Sequence, residues 1–171
     1  MRANDGRIAK LFLSDAQKRF RYYLSRILRC LDKMSDEEIW WRPNEASNSA
    51  GNLVLHLSGN VRQWIISGLG GAADTRERDL EFGERGPVAR RELATRLRTA
   101  VNEACRVLKK LTPQSLARKY TIQGYHATGV VAVSHVCEHF AHHAGQIIYI
   151  TKMRQGKDLR LTKLPALKKK K

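Results

Sequence analysis

Apolar residues return every three or four positions across residues 7–34: Ile8, Leu11, Phe12, Ala16, Phe20, Tyr23, Leu24, Ile27, Leu28, Leu31 and Met34, with arginines and lysines between them. That period places one apolar stripe along one side of a long helix. Such a stripe must be buried against a partner of the same kind. Three more segments supply partners. A second helix over about 49–69 carries Leu53, Leu57, Val61, Trp64 and Ile65, with Asn48 or Ser49 as its cap, and stops at the glycines of GLGG. A third is expected from Pro87, with Leu93, Leu97, Val101, Cys105, Leu108 and Leu111 as its stripe. The fourth runs over about 128–154 and ends before Gly156. Four amphipathic rods without a convincing strand pattern predict an all-α, four-helix bundle.

The segments between the rods are less regular. Ser35 followed by Glu38 predicts a capping box on a short helix. Residues 72–86, AADTRERDLEFGERG, are charged and aperiodic, and read as an exposed excursion. In 112–129, KYTIQG reads as briefly extended, and the chain beyond Gly156 as a polar tail. These connectors exceed what simple up-and-down hairpins need, so their length leaves the topology open. A single domain over residues 1–160 is expected, followed by a basic tail, 161–171, without fixed structure.

Composition limits the partners. At 171 residues the chain can bury a core without disulfides, and its three cysteines, Cys30, Cys105 and Cys137, are too widely spaced for a disulfide framework or a zinc pattern. A reducing cytoplasm is the expected location. Arg2, Asp5, Arg7 and Lys10 interrupt any export signal, and no segment offers the roughly 20 apolar residues of a membrane span. The net charge of +16 raises nucleic acid as a partner. The charge is spread along the chain, however, and only LKKKK at 167–171 is a run. A solvated basic surface is therefore expected in preference to nucleic-acid binding.

Five of the six histidines fall between positions 126 and 143. His139 and His143, like His135 and His139, stand four residues apart, so their imidazoles share a helix face with Cβ atoms about 5–6 Å apart. Such a pair can grip one ion, yet a site needs a further ligand from another helix. His56 is the remaining histidine, mid-helix on the second rod, at an offset that leans it inward. Three imidazoles from facing helices, with an open position, would make a catalytic type of metal site. Spacing alone also leaves open a surface helix with incidental histidines.

NLVLHLSGN at 52–60 together with EHFAHHAGQI at 138–147 resembles the DinB-like superfamily of bacterial four-helix bundles, grouped with the YfiT-like metalloenzymes. DEEIWWRP at 36–43 and TIQG at 121–124 look like an uncharacterised branch of it. The resemblance spans roughly residues 8–155. It implies a divalent metal, zinc or nickel, held by His56, His139 and His143, and it implies homodimers. Some branches act on low-molecular-weight thiols, so it also implies thiol S-transfer to a small-molecule electrophile. The alternative is a metal-binding stress-response or interaction protein without catalysis. Relatives often have Arg where this chain has Ala144, so any role of that Arg is missing here.

Around the triad, His142 reads as a non-ligand and His135 as an entrance residue. Cys137 reads as core filler and Trp64 as packing that can line a pocket. Glu138 is expected to face solvent. Asn60 and Gln146 read first as ordinary helix polar residues, with ligand orientation as the alternative.

Overall fold

A computed structural model describes residues 3–86 and 88–161. Four long rods form the bundle: α1 (Ala3–Leu31), α3 (Ala50–Val61) continued by a π-helical segment (Arg62–Leu69), α5 (Arg90–Leu108) and α7 (Gly129–Gln155). Three short helices join them, α2 (Asp36–Trp40), α4 (Arg78–Gly83) and α6 (Pro113–Ala117), with a hairpin of β1 (Lys119–Ile122) and β2 (Tyr125–Thr128). The architecture is all-α, as the periodicity predicts.

Local chemistry sets the ends of the rods. Ser35 and Glu38 form the expected capping box on α2. Ser49, and not Asn48, caps α3: its hydroxyl accepts from the Asn52 amide, and the Asn52 side chain accepts from the Ser49 backbone N–H. Thr128 caps α7, and Gly156 closes it in the left-handed conformation at φ 60°. Pro87 lies outside the described residues; α5 itself begins at Arg90.

Side-chain contacts give the directions of the rods. Phe20 stacks on Phe140 and Met34 meets Thr151, so α1 and α7 run the same way. His56 meets His139 and Trp64 meets His135, so α3 runs opposite to α7. Gly70 lies against Val107 and Arg62 pairs with Glu103, while Leu55 and Glu92 border one groove, so α3 and α5 are parallel. A connector between parallel rods must travel back along the bundle, here roughly 30 Å for twenty helical residues. Residues 70–86 do so as a strap against α3. The Asn52 side chain donates to the carbonyls of Glu81 and Glu84, and the Trp40 indole donates to that of Val88.

Phe20, Ile27, Leu57, Ile65, Leu97, Leu108 and Phe140 are fully buried between the rods. Each such side chain contributes about 1.5–3 kcal/mol through removal from water. Three expectations need correction. Ile8 and Leu11 are exposed, because the stripe of α1 shifts to Ala9, Leu13 and Ala16 at that end. Residues 72–86 are not simply an exposed excursion: they contain α4, and Glu81 is buried. By contrast, KYTIQG is extended as expected: Lys119–Ile122 pairs with Tyr125–Thr128 as a hairpin, turning at Gln123 and Gly124, both with positive φ. Beyond Gly156, Leu159 is buried, and Arg29 donates to the carbonyls of Arg160 and Leu161. The expected tail falls outside the described residues from 162 onward. Among the described residues, no helix is long and apolar enough to cross a membrane.

Candidate metal centre

His56 projects from the middle of α3 and is 5% exposed, while His139 and His143 project from consecutive turns of α7 and are half-buried. One ring nitrogen of each lies within 4.8 Å of the others, a group that could hold a metal ion. The Nε2 atoms of His56 and His139 are 2.9 Å apart. Two nitrogens on one tetrahedral ion with bonds of about 2.0–2.1 Å sit about 3.3 Å apart, so that pair already has nearly the required spacing.

The far side of each ring decides which nitrogen is free. His56 Nδ1 lies 2.9 Å from Glu81 Oε2. An ionised carboxylate only accepts, so Nδ1 carries the hydrogen and Nε2 keeps its lone pair facing the cluster. Arg76 grips the same carboxylate through Nε at 2.7 Å and Nη2 at 2.8 Å. Its Nη2 is also 3.1 Å from His56 Nδ1, a close approach and not a hydrogen bond, since both groups are donors there. Arg76 is itself held: Nη1 donates to Gln63 Oε1, Gln63 donates to Asp74, and the Asp74 carboxylate accepts from the Arg76 backbone. Burial alone would raise the Glu81 carboxyl, but the Arg76 and His56 hydrogen bonds outweigh it and hold it below the usual range. On α7, His143 Nδ1 donates to Gln146 Oε1 at 2.6 Å, which leaves Nε2 of His143 free.

Burial, aided by the neighbouring histidines, pushes His139 down to about 3 and His143 down to about 4. Both rings are therefore neutral near pH 7 and available as ligands. Three imidazoles form a nitrogen donor set that suits zinc, nickel, copper or iron better than calcium or magnesium. The residues present thus fit a divalent transition metal.

Gly59 explains how Glu81 comes so close. A Cβ on Gly59 would lie 1.8 Å from Glu81 Oε1 and 2.9 Å from Arg76 Nε. The bare α3 backbone, one turn from His56, makes room for the ion pair.

In front of the cluster opens a cavity of about 570 Å³, lined by His56, His139, His135, Asn60, Trp64, Arg76, Arg78, Gln123 and Tyr125. Trp64 enters from the π-helical segment, whose wider turns redirect side chains relative to an α-helix. His135 packs at a tilt against Trp64 at 4.2 Å and stacks on His139 at 5.5 Å, an entrance position as expected. His142 and Glu138 are exposed, and His126 bonds Thr121 in the hairpin. Cys137 is half-buried against the core, and burial pushes its thiol up to about 11, as suits a packing residue and not a nucleophile. Gln146, exposed on α7, accepts a hydrogen bond from His143, as the second of its two readings requires. Arg76 and Glu81 were missed by the sequence reading. The signal that could have found them is chemical: a ligating histidine needs an acceptor at its other nitrogen.

Fold and cluster together give a helical bundle with a three-histidine group between two of its rods, and solved DinB-like proteins share that fold. A DinB-like protein from Bacillus cereus superposes at TM-score 0.66, with 18% identity over 86% of this chain and 93% of that one. A DinB-like protein from Bacillus subtilis follows at 0.62, with 22% identity over 88% and 95%. A conserved protein from Enterococcus faecalis matches at 0.63, with 16% identity over 92% and 99%. At these identities the likeness is one of fold. No curated protein matches the chain in sequence. The chain belongs to the family described as Protein of unknown function (DUF1572), whose model matches residues 7–168.

Proposed function

We propose that this protein binds one divalent metal ion, zinc or nickel, through His56, His139 and His143, and that it is a metal-dependent enzyme acting on a small molecule. The reading rests above all on the buried hydrogen bond from His56 Nδ1 to Glu81, backed by Arg76. A core histidine needing only a partner for its N–H would be satisfied by one neutral acceptor. Here a carboxylate fixes the ring so that its lone pair faces two more imidazoles, the carboxylate–histidine arrangement found around bound metals.

A bound ion at such a centre acts as a Lewis acid, lowering the pKa of a coordinated thiol or water. The chain's own residues do the rest. The three imidazoles would hold the ion, and the cavity opens beside His56 and His139. Gln146 and Glu81 hold two of the rings in register. Trp64, His135 and Tyr125 line the cavity with ring surface. Its volume of about 570 Å³ suits a small organic substrate. Transfer of a low-molecular-weight thiol to an electrophile is the reaction class we assign to it, supported by the DinB-like resemblance.

The purified chain should carry close to one equivalent of a divalent metal by elemental analysis, and the triple variant H56A/H139A/H143A should carry none. Full retention in the triple variant would overturn the site. Catalysis is read separately. Metal-loaded protein should couple a panel of thiols to a chromogenic aryl halide faster than the triple variant does, and equal rates throughout would leave metal binding standing without thiol transfer.

A further inference from the structure

The cavity in front of the triad has an asymmetric lining. One wall is a run of ring faces: Tyr125 lies nearly parallel to Trp64 at 6.5 Å, and Trp64 in turn packs on His135. The other side carries Arg76 and Arg78, and no Asp or Glu lines the cavity. Arg76 is committed to Glu81, whereas Arg78 has no carboxylate partner among the described residues. Its guanidinium lies over the Phe82 ring at 4.9 Å, and that ring lies 4.5 Å from His56. A free cation is thus held at the edge of the cavity, beside the triad.

These observations point to an organic molecule with a flat ring and a negative charge. An aliphatic ligand would gain little from a wall of stacked rings, while an aromatic ring gains offset stacking beyond its buried area. A neutral ligand would leave Arg78 unmatched. A metal site built from three neutral imidazoles keeps the full charge of its ion, which adds to the attraction for an anion. We infer that the cavity binds a small aromatic acid, its ring stacked on the exposed Tyr125 ring beside Trp64 and its carboxylate paired with Arg78. This deepens the enzymatic reading of the same cavity by naming the substrate class, but the ring wall and Arg78 do not need the metal.

The test uses the full chain in metal-free and metal-loaded forms, with 2-naphthoate as probe and its neutral amide and decalin-2-carboxylate as controls. Binding is read by quenching of tryptophan fluorescence and by calorimetry. Naphthoate should bind both forms, more tightly the loaded one, and at least about tenfold more tightly than either control, the equivalent of one charge-assisted hydrogen bond or one ring contact. R78Q should lose about tenfold for naphthoate and nothing for the amide. Y125A should lose affinity for naphthoate and not for decalin carboxylate. Both altered residues are exposed, so neither change threatens the fold. W64F should keep most of the stacking. Equal binding of acid and amide, or of aromatic and saturated acids, would overturn the inference, as would an unchanged affinity in R78Q. Naphthoate binding by a chain that takes up no metal would uphold it while removing the metal reading.

Discussion

At the scale of single residues, Glu81 has the largest leverage on the triad. It accepts from Arg76 twice and from His56 once, and the Arg76 side chain is 3% exposed. Replacing it with Gln leaves an acceptor for His56 but removes the charge, so Nδ1–H is held less firmly and the ring is a weaker donor to an ion. E81Q should lower metal affinity by about 10–100-fold, the usual effect of losing such a partner, measured by competition with a chromophoric chelator. E138Q, on the solvent side of α7, should leave affinity unchanged. Because E81Q also strands a buried guanidinium, the double variant E81Q/R76M separates the two effects: it should restore stability without restoring affinity. Affinity within twofold of the parent in E81Q would mean that Glu81 merely anchors the strap.

At the scale of elements, the strap and α3 meet at Gly59, and two physical effects oppose each other there. Alanine is a better helix former than glycine by about 1 kcal/mol in a helix interior. Yet the added Cβ would overlap Glu81 Oε1, so the carboxylate and Arg76 must move. The overlap wins locally, because the carboxylate is fixed by three hydrogen bonds and is no free chain end. G59A should therefore keep its helix content by circular dichroism while losing metal affinity nearly as far as E81Q does. G83A, in open space on the strap, is the matched control, with no loss of affinity. The short helix α4 exists in this position because parallel α3 and α5 force the connector back along the bundle.

At the scale of the molecule, the triad joins α3 to α7, two rods 83 residues apart in sequence at the His56–His139 contact. An ion binding the folded chain and not the unfolded one stabilises it by about 2.7 kcal/mol at a hundred times its dissociation constant. For a chain of this size that should raise Tm by roughly 5–10 °C, read by differential scanning calorimetry with and without added zinc. The triple histidine variant should show no rise, and a rise of equal size in that variant would place the ion elsewhere. The three cysteines take no part in this, since burial raises all three thiols.

Much of this molecule is legible in one dimension, because the features concerned repeat or lie close along the chain. The four apolar stripes, the Ser35–Glu38 box, the Gly156 stop and the i, i+4 pair of His139 and His143 each follow from contacts within a turn or two of helix. His56 was legible as the third histidine from its inward offset and from the DinB-like motif around it. The rest depended on which rods run parallel. That choice sends the charged segment 72–86 back along α3, where Glu81 and Arg76 become buried despite a composition that reads as exposed. Charged residues lie at the surface unless a partner meets them, and these partners are 20 and 25 residues away from His56. Local periodicity carries no information about pairings at that range. Only the path of the strap brought the carboxylate to the histidine, and with it the orientation of the ring.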